Sequence, residues 1–359
     1  MPSSYFIRTF RFLLLPFALL YWLAIGIRNF LYNNKILKSS SFGLPLICVG
    51  NLSVGGTGKS PMVEYLVVLL KDRFKVATLS RGYKRKTRGY TLATLNTTAL
   101  EIGDEPMLFH LKFPDIPVAV GEERLDAIPQ LLHDRADTEA IILDDAFQHR
   151  AVKAGLNILL TDYNNLFTRD FYLPTGDLRD QKSSYKRADL IVVTKCIADL
   201  SESASERIVK EIKPRPKQFV FFTTIKYGNL YHIHSRQTLQ LTGNTEVLLV
   251  TGIANPTPLM TMLENKCSSF SVLTYPDHHI FTIDDLRAIK KRFMQIQATE
   301  KIILTTEKDA VRLTKFDSQL NELPLFVIPV RHDFLFGEET KFNDIVIDFI
   351  RNFRQTAQN

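Results

Sequence analysis

The segment Ser53-Val54-Gly55-Gly56-Thr57-Gly58-Lys59-Ser60 joins a glycine-rich run to a Lys-Ser pair, a combination suited to gripping the phosphates of a nucleotide. Glycines let the backbone curl until its N–H groups converge on phosphate oxygens. A lysine at position 59 then reaches the β- and γ-phosphates, and the Ser60 hydroxyl is placed to bind Mg²⁺. Against the pattern G-x-x-x-x-G-K-[ST], Ser53 stands at the first glycine. The bland alternative is a glycine turn ahead of an ordinary helix; the intact Gly58-Lys59-Ser60 and the correct flanks argue against it. A metal in that position needs carboxylate. Ala140-Ile141-Ile142-Leu143-Asp144-Asp145 supplies it as an apolar run ending in two acids, of which Asp144 or Asp145 would hold Mg²⁺ directly or through water.

Other candidates carry less specific signals. Gly103-Asp104-Glu105-Pro106 sets two acids at the start of a helix-like stretch. Such acids are commonly helix caps, but in a phosphoryl-transfer enzyme one of them can orient or deprotonate the attacking hydroxyl. His278 and His279 are adjacent within Tyr275–Phe281, and no H-E-x-x-H zinc pattern accompanies them. His110, His133, His232, His234 and His332 read as surface or packing residues. Arg81 to Arg88 holds five basic residues in eight positions, a solvated charge run by default, or a site for a phosphorylated substrate or anionic headgroups. Without a recognised nucleic-acid module or interleaved aromatics, no nucleic-acid partner is expected. Thr194-Lys195 ends an apolar run like the guanine-reading [NT]-K-x-D, yet Ile197 occupies the place of the acid. Adenine, and hence ATP, is the expected base.

These groups need a scaffold. Short apolar runs at 44–50, 140–145, 157–162 and 190–195 read as buried strands alternating with helical stretches, predicting an α/β fold: a P-loop NTPase-like parallel sheet. Beyond Pro214-Arg215-Pro216, runs at 217–223 and 230–233 flank a Tyr227-Gly228-Asn229 turn signal and predict a hairpin linker over 216–236. A second, smaller α/β domain is expected over 237–359, after a P-loop domain over 33–215. The chain has 359 residues, 45% apolar and 23% charged, which excludes a disordered or polytopic membrane protein. Its three cysteines, Cys48, Cys196 and Cys267, stand in no paired spacing and predict neither a disulfide framework nor a zinc site.

Of the net charge of +7, five units fall in residues 1–38 as Arg8, Arg11, Arg28, Lys35 and Lys38, with no acid among them. Phe12 to Ile27 runs 16 residues without a charge, roughly 24 Å as a helix against a hydrocarbon core of ~30 Å. With Tyr21, Trp22 and Tyr32 suited to the headgroup level, residues 1–32 are expected to form a membrane-associated helix lying in one leaflet, on an anionic membrane surface.

Taken in order, GNLSVGGTGKSP, SRGY, GDEP, GEERLDA, DDAFQH, LPTGDLRD, VTK, TGIANP, the Asp-His-His at 277–279 and TTEKDAVRL resemble the tetraacyldisaccharide 4'-kinase family, the lipid A 4'-kinases of Gram-negative bacteria. The resemblance implies transfer of the ATP γ-phosphoryl group to the 4'-hydroxyl of a tetraacylated disaccharide 1-phosphate, giving lipid IVA on the cytoplasmic face of the inner membrane. It implies catalytic roles for Asp104, with His278 as its partner, and for Lys59. Residues 53–60 would bind the nucleotide, and Ser60, Asp144 and Asp145 the Mg²⁺. Asn51, Arg81, Glu105, Arg124, Gln148, His149 and Arg179 would lie around the lipid acceptor. Asp177 and Asp180 stand where the family more often shows Pro and Glu, and Ser60 where Thr is usual. No obligate protein partner is implied. The competing class is a membrane-associated regulatory or partitioning ATPase with a K-G-G-x-G-K-[ST] loop, whose signature lysine position is taken here by Val54.

Overall fold

The computed structural model describes residues 11–321 and 323–358. One sheet is built from Leu46–Asn51 (β1), Val76–Ser80 (β2), Thr91–Leu92 (β3), Val118–Val120 (β4), Ala140–Asp144 (β5), Leu156–Asp162 (β6), Leu190–Thr194 (β7) and Phe219–Tyr227 (β8). Leu230–His232 (β9), Thr238–Leu239 (β10), Glu246–Thr251 (β11), Ser269–Thr274 (β12), Lys301–Thr306 (β13) and Leu325–Ile328 (β14) form a second sheet, and Val330–Phe334 (β15) closes the edge of the first. The orders are β15-β8-β7-β6-β1-β5-β2-β4-β3 and β10-β9-β14-β13-β11-β12.

β1 explains why these strands read as unbroken apolar runs. Ile47 and Val49 face one core while Leu46 and Cys48 face the other, so both sides of the strand are dry, as in parallel sheets covered by helices on each face. β1 lies between β5 and β6, parallel to both, and the chain fills the sheet first on one side of it and then on the other. The loop after β1 therefore opens into the crevice at a topological switch point, where ligands of such sheets bind.

The helices that matter for the site are Leu15–Asn33 (α1), Lys59–Leu70 (α2), Asp104–Lys112 (α3), Arg124–Asp134 (α4), Ile283–Met294 (α5), Glu307–Leu313 (α6) and Glu339–Gln358 (α7). α2 buries Met62, Val63, Leu66, Val67 and Leu70 in the same core that receives Phe342, Val346, Ile347 and Ile350 of α7. Each such side chain is worth roughly 1.5–3 kcal/mol on full burial, so the C-terminal helix is a structural part of the nucleotide domain.

The hairpin expected over 216–236 does not form. β8 pairs with β7 and β15 in the first sheet, whereas β9 pairs with β14 and β10 in the second. The reason lies in β8: Phe221 points into one core of the nine-stranded sheet and Phe222 into the other, an environment a linker hairpin lacks. Gly228 is instead the crossover between sheets. The chain returns beside it at Pro329, and a Cβ on Gly228 would lie 2.8 Å from the Pro329 ring. Residues from 330 onward rejoin the first sheet and its core, so the second domain ends near Pro329.

α1 is docked along its length. Asn29 donates to the buried Asp180 carboxylate at 2.8 Å, Tyr21 donates to the Arg179 carbonyl at 3.3 Å, Arg28 donates to the Gln148 carbonyl at 2.9 Å, and Arg150 donates to Asn33 at 2.7 Å. At the near end Arg11 meets Asp177 at 3.2 Å. The face turned away exposes Phe17, Leu19, Leu20, Leu23, Ile27 and Phe30. Arg8 and the first ten residues of the expected anchor lie outside the described residues.

Candidate active site

The phosphate loop takes its shape from its ends. Val54 donates to the Asp177 carbonyl at 2.7 Å, and Asn51 at the tip of β1 donates from Nδ2 to Thr57 Oγ1 at 2.9 Å. Gly58, the residue before α2, holds φ at +84°, a left-handed conformation in which a side chain would be strained. It is also crowded: His332 on β15 donates from Nε2 to the Gly58 carbonyl at 2.9 Å, and its Nδ1 accepts from the Thr223 hydroxyl at 2.9 Å. Burial pushes the His332 pKa down to about 4, so the ring is neutral. Thr194 at the end of β7 donates to the Thr57 carbonyl at 2.9 Å. The loop is thus tied down from behind, leaving Lys59 and Ser60 facing the crevice; His332 is a support of this loop, a role beyond ordinary packing.

The acids after β5 divide into two environments. Asp145 sits under Arg179, which donates to both of its oxygens, and Lys59 Nζ lies 3.7 Å away. Burial works against its ionisation, but the Arg179 hydrogen bonds and the charges of Lys59 and Arg179 hold its pKa down to about 2. Asp144 is 2% exposed, and its Oδ1 has no hydrogen-bond partner among the described residues. Burial first, then the nearby charges of Glu105 and Asp145, push its pKa up to about 7. A buried carboxylate oxygen left unpaired beside a phosphate cradle fits a divalent cation. Mg²⁺ is ordinarily held by one or two carboxylates together with phosphate oxygens and water, and Asp144 with Ser60 Oγ can supply the protein's share.

Across the crevice the two domains meet through α3 and α6. His278 Nδ1 lies 3.1 Å from Asp104 Oδ2, with Asp104 on the first domain and His278 on the second. Beside them Ser60 donates to Glu105 Oε1 at 3.0 Å, and Lys308 of α6 also donates to Glu105. Burial opposes its charge, yet Lys308 and Lys59 hold the Glu105 carboxyl below its ordinary range. Two helix turns away Lys112 bridges to Glu307 at 2.6 Å and to Glu64 of α2. α6 therefore reaches the first domain with Glu307, Lys308 and Arg312, all within the TTEKDAVRL motif but given no role by the sequence reading. Their signal there is only a run of charges behind the Thr306 cap, which accepts from the Asp309 amide at 3.2 Å.

His279, adjacent to His278, is turned elsewhere: its Nε2 meets Asp285 Oδ2 at 2.9 Å, and Asp285 completes the capping box of α5. Asp180 likewise has a structural role, accepting from Asn29, Ser184 and Arg187.

Of the expected acceptor residues, Asn51, Arg124, Gln148, His149 and Arg179 are hydrogen-bonded around the ends of β1 and β5, whereas Glu105 lies apart from them on α3 with Ser60 and Lys308. Gln148 donates from Nε2 to the Asn51 carbonyl at 2.5 Å, and Arg179 donates to Asn51 Oδ1 at 2.5 Å. Arg124, 2% exposed at the start of α4, donates to the Asp144 carbonyl at 3.2 Å, while its amide donates to His149 Nε2 at 3.2 Å. Burial lowers the His149 pKa, and the charges of Arg124, Arg28 and Arg81 push in the same direction. Arg81 is exposed.

A family model described as tetraacyldisaccharide-1-P 4'-kinase matches residues 10–351. The tetraacyldisaccharide 4'-kinase of Bacteroides thetaiotaomicron is 42% identical over 363 residues, covering 97% of this chain and 95% of its own. That of Flavobacterium johnsoniae is 45% identical, covering 95% and 97%. A crystal structure of LpxK from Aquifex aeolicus in complex with ATP superposes with a TM-score of 0.74 at 29% identity, covering 95% of this chain and 99% of that one.

Proposed function

This chain belongs to the tetraacyldisaccharide-1-P 4'-kinase family, and from that membership we propose how its own residues carry the reaction. It is an ATP-dependent kinase that moves the γ-phosphoryl group to the 4'-hydroxyl of tetraacyldisaccharide 1-phosphate, giving lipid IVA in lipid A biosynthesis. The partitioning-ATPase alternative has no remaining support.

Phosphoryl transfer asks a protein mainly for position and charge. The loop N–H groups and Lys59 hold the triphosphate. Mg²⁺ bound through Ser60 and Asp144 would neutralise charge on the phosphate oxygens. Gln148, His149 and Arg81, with Asn51 and Arg179 at the edge of the loop, orient the sugar and its phosphate, and the buried Arg124 contributes by fixing His149 and the Asp144 carbonyl behind them. As the hydroxyl oxygen bonds to phosphorus and the bond to the ADP oxygen breaks, Asp104 takes the hydroxyl proton and His278 Nδ1 receives it in turn. The observation that carries this reading is the 3.1 Å approach of His278 to Asp104 between two domains, beside the phosphate loop.

The acyl chains need not enter this crevice. α1 is tied to the domain from Arg11 to Asn33 and bares an apolar face outward, which supports a helix lying in one leaflet, with the catalytic crevice on the cytoplasmic side where ATP is found. A helix docked over its whole length is poorly placed to project across a bilayer. In a transfer assay Asp104→Asn should lower kcat by about 10²–10⁴-fold with the KM for ATP little changed, whereas Lys59→Ala should damage both. Undiminished turnover in Asp104→Asn would remove the proton-acceptor assignment.

A further inference from the structure

Asp104 and His278 form a triangle with a third side chain. Arg312 of α6 donates from Nε to Asp104 Oδ2 at 2.9 Å, and its Nη2 lies 2.8 Å from the same oxygen and 3.1 Å from His278 Nδ1. The guanidinium is 5% exposed and is anchored on its far side, where Nη1 donates to Asp309 Oδ1 at 3.0 Å. Asp309, fully buried, is itself fixed by the Gly252 amide at 3.0 Å and the Thr306 hydroxyl at 2.8 Å. The fork therefore belongs rigidly to the second domain and points its two free donors at the junction.

Hydrogen-bond chemistry makes this geometry informative. Arginine can only donate and an ionised carboxylate can only accept. His278 Nδ1 is 3.1 Å from one of each. A bare Nδ1 accepts from Arg312; a protonated Nδ1 donates to Asp104. Both states are satisfied without moving the ring, because Arg312 keeps Asp104 through Nε in either case.

We propose that Arg312 is a positioning residue of the phosphoryl-transfer step: it holds Asp104 across the domain junction and holds His278 with Nδ1 bare until the proton arrives. The inference rests on the assignment of Asp104 and His278 above. In balance, the acceptor O–H breaks as its oxygen bonds to the γ-phosphorus, the bond to the ADP oxygen breaks, and the proton passes through Asp104 to Nδ1. The imidazolium so formed exchanges its bond from Arg312 to Asp104. Arg312 neither gives nor takes a proton.

The test uses the full chain with Mg-ATP and the disaccharide acceptor in detergent micelles. Arg312→Ala should lower kcat by about 10²-fold, the scale of a misplaced catalytic group, with the KM for ATP little altered. Millimolar guanidinium should restore at least a tenth of the lost turnover. Arg312→Lys, whose ammonium lacks the planar fork, should stay well below the native rate. With His278→Ala the losses should be far from additive, because both act on one proton. Native turnover in Arg312→Ala, a folded variant without guanidinium rescue, or fully additive losses would each overturn the proposal. Failure of the underlying reading shows separately, as undiminished turnover in Asp104→Asn with Arg312 intact.

Discussion

Asp144 is where stability and function pull apart. Its pKa in the folded chain, about 7, stands well above the ordinary 3.8, so the fold retains a proton that the unfolded chain releases. The stability linked to that proton is fully present below about pH 4 and is lost as the pH rises through about 7. Asp144→Asn cannot ionise. In the absence of metal and nucleotide at pH 8 it should melt roughly 2–4 °C higher than the native protein, while losing Mg²⁺-dependent turnover; an unchanged or lower melting temperature contradicts the account of this carboxylate. The residues that sequence reasoning found here are those whose chemistry is tied to a short local pattern: Lys59 and Ser60 after their glycines, and the acid pair after β5. Arg312 and Lys308 went unassigned because the acids they reach, Asp104 and Glu105, are more than two hundred residues away on the other domain, and spacing within α6 says nothing of that.

At the scale of elements, β1, β5, β6 and β7 were legible because both faces are buried, which leaves unbroken branched runs in the sequence, whereas the equally buried β2 and the short β4 were not picked out. The turn at Gly228 was misread for a related reason: two apolar runs around a glycine look alike whether the strands pair with each other or with different sheets. β15 was equally hidden, being short and half polar, yet it delivers His332 to the Gly58 carbonyl. The pKa of that ring is lowered from 6.5 to about 4. Its neutral form is therefore stabilising in full above about pH 6.5, and the contribution is lost as the pH falls toward 4. Between pH 7 and 4 the native protein should lose on the order of 3 kcal/mol from this ring. His332→Gln, which keeps a donor but does not titrate, should show a correspondingly shallower decline in urea titrations across the same interval. Parallel declines in the two proteins would mean that His332 does not carry the acid sensitivity.

The whole molecule is two domains joined by two neighbouring crossings, Gly228 outward and Pro329 on return, with the reacting groups divided between them. Lys112 against Glu64 and Glu307, Lys308 against Glu105 and Arg312 against Asp104 make that junction electrostatic. Burial first and then the Glu307 charge push the Glu64 pKa up to about 7, against the lowering influence of Lys112. α1 stands apart from this junction, and a chain beginning at Asn34 should cease to sediment with anionic phospholipid vesicles yet still bind Mg-ATP; full retention on vesicles would refute the helix as the anchor. The central claim, that the crevice between the domains delivers a phosphoryl group to a lipid-linked sugar hydroxyl, is tested most directly by following γ-labelled ATP with the tetraacyldisaccharide 1-phosphate in micelles. Label should appear on the lipid in proportion to acceptor and accumulate about 10²–10⁴-fold more slowly in Asp104→Asn, whereas ATP hydrolysis that proceeds at one rate with or without acceptor, leaving the lipid unlabelled, would contradict it.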